Sequence, residues 1–279
     1  MSSNNFFLKL KQLCIIPYYC LINKISSQKK IVSTIALLLL FAQVFSQTKT
    51  PTGYTVKLHL QSTAGTNGSV VTYNAAKGLY YTIIAGNADY PIDVFDANGN
   101  WKTYIDAGQD MRGLWYNTAT NSLEGNNTDG DLYSWGLDSK GLPGNNPKSL
   151  YKNVPVQNLQ CVDYNFNGMI YQYYEGMVYS TSATKPGKMK KIELAIASGE
   201  IENFSKYTMG YTGMAGYEIV LFNAETQSAA FFNKKGKFVN AVKLPEDAPA
   251  WSAFRFSYCN NMAWLYDADK RTWYGYKVF

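Results

Sequence analysis

The chain alternates short apolar and aromatic segments with polar turns rich in Gly, Asn, Asp and Pro. Within residues 161–194, the run Met169–Tyr174 suits a half-buried strand, and Asn165–Gly168 before it supplies residues that tolerate positive φ. Pro186–Gly187 marks a second tight turn, after which Lys188–Leu194 alternates as an outer strand with one wet face does. This segment therefore predicts three or four antiparallel strands joined by hairpins.

A tyrosine recurs along the chain, each time ahead of a turn rich in Gly or Asn. The markers lie 43, 48, 47 and 47 residues apart and are Tyr73, Tyr116, Tyr164, Tyr211 and Tyr258. Turn glycines follow the first four markers by 26, 25, 23 and 25 residues, and these are Gly99, Gly141, Gly187 and Gly236. A period in the forties with four strands per unit is the spacing of β-propeller blades, and the chain has room for five.

The two ends of the repeat complete each other. The last unit, residues 254–279, stops after its third strand, Thr272–Phe279, whereas Gly53–Leu60 resembles Gly236–Leu244, which follows the fourth turn glycine. We therefore expect Tyr54–Leu60 to pair with the last strand and to remove the free sheet edges. The predicted fold class is all-β, a β-propeller of five four-stranded blades closed by the N-terminal strand of the mature chain.

Two segments depart from the regular repeat. Leu123–Gly130 in the second unit is polar where the other units carry an apolar strand, which predicts a frayed hairpin or a loop. Ile192–Ile201 has a helix-like pattern, but the repeat assigns it to an outer strand and the connection that follows. Helices therefore have little room in the predicted fold.

Residues 1–46 contain five Lys, no acidic residue and the apolar run Ile31–Phe45. We interpret this segment as a signal peptide with a long leader, because the run is shorter than the roughly 20 residues that a spanning helix needs. The expected mature chain is a single propeller domain, residues 47–279, with no stable membrane span. Its expected location is secreted, periplasmic or extracellular.

The positive charge belongs mostly to the leader. The leader holds five of the 26 basic residues and none of the 20 acidic ones, so the mature net charge is about +1. The densest basic stretch, Lys185–Lys191, falls at a turn between strands, where lysines more often form a solvated edge than a phosphate track. We predict no nucleic-acid partner.

The mature chain offers little for catalysis. Its one histidine, His59, belongs to the predicted closing strand, so Ser-His-Asp, Cys-His and His-rich metal sites are hard to assemble. Cys161 and Cys259 fall in blades that are not neighbours, so both are expected as buried thiols without a disulfide. No Gly-rich phosphate loop or EF-hand loop is present. We predict no catalytic residue, metal site or cofactor.

The candidate binding residues lie on or just before the predicted innermost strands, which converge on the channel of a propeller. They are Arg112, Trp115, Asp163, Trp251 and Arg255. Arg with Trp could hold a small polar or sugar-like ligand; alternatively Arg and Asp pair between blades and Trp fills their interfaces. Carboxylates in second-to-third strand turns could face the same rim, and a glycosidase would need two of them across the channel; they are Asp89, Glu175, Glu225 and Asp267.

In its spacing and turn chemistry the repeat over residues 53–279 resembles secreted bacterial β-propellers of the broad NHL and YVTN kind. That resemblance implies binding scaffolds as well as hydrolases and lactonases. We expect a monomeric, exported, non-catalytic propeller that recognises a protein or a glycan at the channel mouth. The alternative is a secreted five-bladed glycoside hydrolase or metal-dependent lactonase.

Overall fold

The computed structural model of the chain describes residues 48–62, 65–155, 163–164, 168–251 and 253–279, and for 163–164 the backbone alone. The predicted signal peptide, residues 1–46, and Cys161 lie outside the described residues. The described chain forms five four-stranded antiparallel sheets, each one blade. The predicted all-β propeller repeat with five blades is confirmed.

The strands follow the repeat in chain order after β1 (Val56–His59), which belongs to the last blade. Blade 1 contains β2 (Asn67–Asn74), β3 (Leu79–Ala85), β4 (Pro91–Asp96) and β5 (Trp101–Asp106). Blade 2 contains β6 (Met111–Asn117), β7 (Ser122–Asn127), β8 (Leu132–Gly136) and β9 (Lys148–Tyr151). Blade 3 contains β10 (Asp163–Tyr164), β11 (Met169–Tyr174), β12 (Met177–Ser182) and β13 (Lys190–Glu193). Blade 4 contains β14 (Gly210–Tyr211), β15 (Ile219–Asn223), β16 (Ser228–Phe232) and β17 (Phe238–Lys243). Blade 5 contains β18 (Phe256–Cys259), β19 (Met262–Asp267) and β20 (Thr272–Lys277), with β1 as its fourth strand.

The innermost strands are β2, β6, β10, β14 and β18, and each contacts the innermost strand of the next blade. The contact between β18 and β2 closes the circle. Because the innermost strands share one direction, the ring has two distinct faces. We call the side where these strands end the hairpin face, and the side where they begin the connection face.

Closure depends on β1, the first strand of the described chain. It pairs antiparallel with β20, with Val56 opposite Gly275 and Leu58 opposite Trp273. The predicted pairing of the N-terminal strand with the last strand is confirmed. Leu58 is fully buried between blades 5 and 1, where Trp273 belongs to the same apolar cluster. The last blade is therefore completed by residues from the other end of the chain.

The core is divided among the blade interfaces. A cluster of buried apolar side chains lies between each pair of neighbouring blades among the described residues. The interface of blades 5 and 1 contributes Trp264 and Tyr80, whose ring centroids are 5.1 Å apart. Because both faces of a blade are covered in this way, strands such as β3 and β15 are buried along their whole length.

Three of the four glycines that mark the repeat, Gly99, Gly141 and Gly236, sit where one blade's third-to-fourth strand turn meets the previous blade, and Gly187 does not. Gly99 and Gly236 have φ values of 83° and 78°, a region that favours glycine. A Cβ atom on Gly99 would lie 2.1 Å from the Lys57 carbonyl oxygen, and one on Gly236 would lie 1.9 Å from that of Glu193. Any side chain at these positions would force the blades apart.

The prediction of a frayed or looped hairpin for Leu123–Gly130 is wrong. Residues Ser122–Asn127 form strand β7, which is buried throughout and pairs with both β6 and β8. Its polar side chains are accommodated because they are hydrogen-bonded: Asn127 Oδ1 accepts from the backbone amides of Asp129 and Asp131. Hydrophobicity alone does not reveal such a strand.

The helix-like pattern of Ile192–Ile201 resolves into the end of β13 and the start of a 3₁₀ helix, Ser198–Asn203. The helix lies in the connection from blade 3 to blade 4, as the repeat predicts for this position. Over the described ranges, no helix combines the length and the apolar character required to cross a membrane.

Removing the buried side chain of the closing strand should destabilise the entire ring. We expect Leu58→Ala to lower the free energy of unfolding by about 2 to 5 kcal/mol, because it leaves a cavity between blades 5 and 1. The matched control is Lys57→Ala on the exposed side of the same strand, which should change stability by less than about 0.5 kcal/mol. Urea unfolding measures both, and equal effects of the two variants would contradict the closure role of β1.

A buried carboxyl group lies in the same interface. The Asp93 side chain is 1% exposed, and its Oδ1 accepts a hydrogen bond of 3.0 Å from Trp101 Nε1. Its Oδ2 has no hydrogen-bond partner among the described residues. Burial raises the pKa of Asp93 to about 6, against weaker stabilisation of the charged form by Trp101 and by Arg271 of blade 5.

Asp93 should make stability fall as the pH rises. In the folded state the Asp93 carboxyl group keeps its proton up to a pH of about 6, whereas in the unfolded chain it loses the proton near pH 4. The free energy of unfolding therefore falls between these two pH values. The shift corresponds to about 3 kcal/mol. Asp93→Asn should abolish this decrease while Asp106→Asn, an exposed neighbour, retains it. Unfolding free energies measured across this range would refute the assignment if the wild type and Asp93→Asn showed the same pH dependence.

Candidate functional site

Four of the marker tyrosines line one cavity on the hairpin face. Tyr73 lies near the end of β2, Tyr116 of β6, Tyr211 of β14 and Tyr258 of β18. Tyr164 occupies the same place in β10, where the backbone alone is described. The cavity has a volume of about 270 Å³, and we call it the tyrosine mouth. Its other described lining residues are Thr72, Ala75, Trp115, Thr212, Cys259, Asn260 and Asn261.

Side-chain hydroxyls tie neighbouring innermost strands together around the mouth. Thr72 Oγ1 in blade 1 accepts a hydrogen bond of 3.1 Å from the Tyr116 amide in blade 2. Ser257 Oγ in blade 5 accepts from the Val71 amide and donates to the Val71 carbonyl, both at 3.0 Å. A hydroxyl suits this position because it both donates and accepts. These bonds hold the strand ends that carry the tyrosines.

The turn between β18 and β19 brings two amide side chains to the mouth. Asn260 and Asn261 have φ values of 51° and 60°, as the two-residue hairpin turn requires, and asparagine tolerates this conformation. Asn260 Nδ2 donates to the Tyr80 hydroxyl at 2.6 Å, linking blade 5 to blade 1. Burial raises the pKa of Tyr80, which keeps this phenol neutral.

Trp115 is held beneath the mouth by a buried carboxyl group. The Trp115 side chain is buried, and its Nε1 donates to Glu124 Oε2 at 3.2 Å. Glu124 in β7 is also buried, and its Oε1 accepts from Asn117 Nδ2 at 2.9 Å and from Thr120 Oγ1 at 3.1 Å. Glu124 therefore fixes the indole ring and satisfies the polar groups around it.

The mouth presents aromatic faces, hydroxyls and amides. None of its described lining residues is Asp, Glu, Lys, Arg or His. An uncharged cavity of this composition suits an uncharged ligand with both apolar and hydroxyl-bearing surfaces. Cys259, which was expected to be buried, is half-buried and lines this cavity, because β18 ends there and its last residue faces the opening.

Arg112 lies at the other end of β6 from the tyrosine mouth. Its guanidinium forms a bidentate pair with Asp110, at 2.6 and 2.9 Å, and is nearly buried. Asp110 Oδ1 also accepts a 2.8 Å hydrogen bond from the Gly86 amide of blade 1. The ion pair lies within blade 2, and Asp110 links it to the second-to-third strand turn of blade 1.

Trp251 and Arg255 also lie on the connection face, just before β18. The Arg255 guanidinium carbon stands 4.4 Å from the Trp251 ring centroid, and the Trp251 side chain is 53% exposed. The Arg255 amide donates to the Gly68 carbonyl at 2.8 Å, which anchors this segment to blade 1. Asp163 belongs to β10, and its side chain lies outside the described atoms. Four of the five predicted site residues have described side chains, and of these four only Trp115 lines the tyrosine mouth.

The predicted rim carboxylates belong to four different blades, on the connection face. Asp267 forms an ion pair of 3.0 Å with Lys270, and Glu225 Oε2 accepts a hydrogen bond from Asn203 Nδ2. Glu175 and Asp89 line two separate cavities. His59 lies on the outermost strand of blade 5 and contacts Thr272 Oγ1 at 3.0 Å. The described carboxylates thus do not gather at the tyrosine mouth.

No protein-family model matches the sequence, and no curated protein was found to be similar to it. Among solved structures, a streptogramin B lyase is 12% identical with a TM-score of 0.41, covering 75% of this chain and 64% of its own. Virginiamycin B lyase from Staphylococcus aureus is 14% identical with a TM-score of 0.37, covering 75% and 66%. A chain of a nidogen–laminin complex is 11% identical with a TM-score of 0.40, covering 70% of this chain and 92% of its own. The chain thus spans about two thirds of the length of the two lyases it matches.

Loss of the Glu124 carboxyl group should destabilise blade 2. We expect Glu124→Ala to lower the free energy of unfolding by about 2 to 4 kcal/mol, because it removes the buried acceptor to which Trp115 and Asn117 donate. Glu124→Gln keeps one acceptor oxygen and should cost less. Glu200→Ala, at an exposed position, serves as the control. Chemical denaturation that placed all three variants within about 0.5 kcal/mol of the wild type would rule out this role.

Proposed function

We propose that the protein is an exported, non-catalytic β-propeller that binds a glycan at the tyrosine mouth. The observation that carries this proposal is the convergence of tyrosines from four described blades, with hydroxyl and amide side chains, in one uncharged cavity. Export rests on the N-terminal segment, whose charge and apolar run are those of a signal peptide. The proposed protein acts as a monomer, with one binding site on the hairpin face.

The chemistry of the mouth favours a carbohydrate over other small ligands. A sugar ring offers an apolar face that packs on an aromatic ring, and its hydroxyls both donate and accept hydrogen bonds. Tyr211 already stacks on Tyr171 of blade 3, with ring centroids 4.7 Å apart, so one wall of the mouth is a preformed aromatic surface. A volume of about 270 Å³ suits the end of a short glycan rather than a large ligand.

Binding requires less from this site than hydrolysis does. Glycoside hydrolysis ordinarily uses a pair of carboxyl groups flanking the bond that breaks. No described carboxylate lines the tyrosine mouth, Glu124 beneath it is held by Trp115 and Asn117, and Asp267 is already paired with Lys270. In the described parts of the chain, no group of three or more His, Cys, Asp and Glu side chains could hold a metal ion. We therefore favour binding over the hydrolase and lactonase alternative.

The test is a glycan array probed with the mature chain, followed by affinity measurements on the best ligand. Tyr116→Ala and Tyr211→Ala should each weaken binding by at least about tenfold, because each removes a central aromatic contact. Tyr104→Ala, which removes an exposed tyrosine from the outer strand of blade 1, should leave the affinity unchanged.

Three outcomes would overturn the proposal. The first is binding that is indifferent to both mouth variants while their melting temperatures match the wild type. The second is turnover of a glycosidase or lactonase substrate that is lost when a carboxylate is mutated. The third is binding of a protein and of no glycan, which would show that the ligand class proposed here is wrong.

A further inference from the structure

A second cavity opens on the connection face, between blades 3 and 4. It has a volume of about 550 Å³, roughly twice that of the tyrosine mouth. Three tyrosines, two glutamates and one lysine are among its lining residues, and they are Tyr173, Tyr174, Tyr207, Glu175, Glu202 and Lys206. We call it the blade 3–4 cavity. Its charged lining distinguishes it from the uncharged mouth on the opposite face.

The cavity is built by elements that hold one another in place. One side of the cavity is formed by the turn between β11 and β12, where Glu175 and Gly176 have φ values of 46° and 77°. The Gly176 carbonyl accepts a hydrogen bond of 2.9 Å from the Leu194 amide, and Ile201 of the 3₁₀ helix packs against Gly176. The helix in the blade connection therefore packs on the turn, and both elements line the cavity.

The charged side chains that line the cavity are exposed. Neither Glu202 nor Lys206 forms an ion pair within 4.0 Å with any described residue, although both line the same space. The neighbouring Glu175 carboxylate raises the pKa of Tyr174. The cavity therefore holds an unpaired cation, an unpaired anion and one further carboxylate, an excess of negative charge.

Aromatic rings form the remaining wall. The Tyr207 ring lies 5.0 Å from the Phe254 ring, and Phe254 precedes Arg255, which stacks on Trp251. Phe254 and Arg255 have φ values of 50° and 63°, an unfavourable conformation for such side chains. Tyr173 also lines the cavity; it is 2% exposed, and its hydroxyl lies near Gly176 without completing a hydrogen bond.

We propose that the blade 3–4 cavity binds a zwitterionic amino acid and prefers one with a basic side chain. The α-carboxylate of the ligand pairs with Lys206, and its ammonium groups pair with Glu202 and Glu175. The tyrosine rings contact the aliphatic stem and stabilise a nearby cation through their faces. Glu175, Glu202 and Lys206 are exposed, so solvent screens each ion pair, and binding depends on the ligand forming several of them at once. This site is independent of glycan binding at the tyrosine mouth.

Two probes separate the contributions of the charges. L-lysine carries the α-carboxylate, whereas cadaverine is the same diamine without it. By calorimetry, Glu202→Gln should weaken binding of both probes by at least about tenfold. Lys206→Gln should weaken binding of L-lysine by a similar factor and leave cadaverine unchanged or tighter. L-glutamate should bind more weakly than L-lysine to the wild type, because the cavity has excess negative charge.

The controls are Glu200→Gln on the same helix and Lys188→Gln, both at exposed positions outside the cavity lining. Both should bind L-lysine as the wild type does, and thermal melting should show that all four variants remain folded. The proposal is overturned if L-lysine gives no binding at millimolar concentration, or if folded Glu202→Gln and Lys206→Gln bind it with wild-type affinity. An equal loss of both probes in Lys206→Gln would also overturn it, since cadaverine has no group for this lysine to pair with.

Discussion

The pairing of β1 with β20 is the constraint on which the rest of the structure depends. The described apolar clusters lie between blades, so a blade can bury its two faces only when both neighbours are present. An unclosed array would leave one face of the first blade and one of the last in water. By joining the two ends through backbone hydrogen bonds and Leu58, the ring gives every blade two partners. The innermost strands then converge, and the tyrosine mouth forms where they end.

The repeat was predictable because its markers have fixed physical tasks in each blade. A tyrosine stands near the end of each innermost strand, and glycines such as Gly99 and Gly236 stand where a side chain would collide with the preceding blade. Strand β7 was not predictable from apolar pattern, because its buried Glu124 and Asn127 are polar and are satisfied by hydrogen bonds.

The candidate site was only partly predictable, because strand direction separates residues that are close in sequence. Arg112 and Trp115 are near neighbours in β6, yet Trp115 lines the mouth while Arg112 pairs with Asp110 toward the opposite face. The tyrosines served as repeat markers, and their shared strand position was the available signal for a site. The result is a ring with two chemically different faces, an uncharged aromatic mouth on one and a charged cavity between blades 3 and 4 on the other.

The central claim is that one closed ring forms the mouth, so closure and site must be lost together. The most direct test compares hydrogen exchange, measured by mass spectrometry, in two chains. One begins at residue 47, and the other begins at residue 61 and so lacks β1. The account predicts that protection is lost in β3, β7 and β15 as well as in blade 5, because all blades depend on the same closure. Loss of protection confined to β18, β19 and β20, with the other blades unchanged, would contradict it.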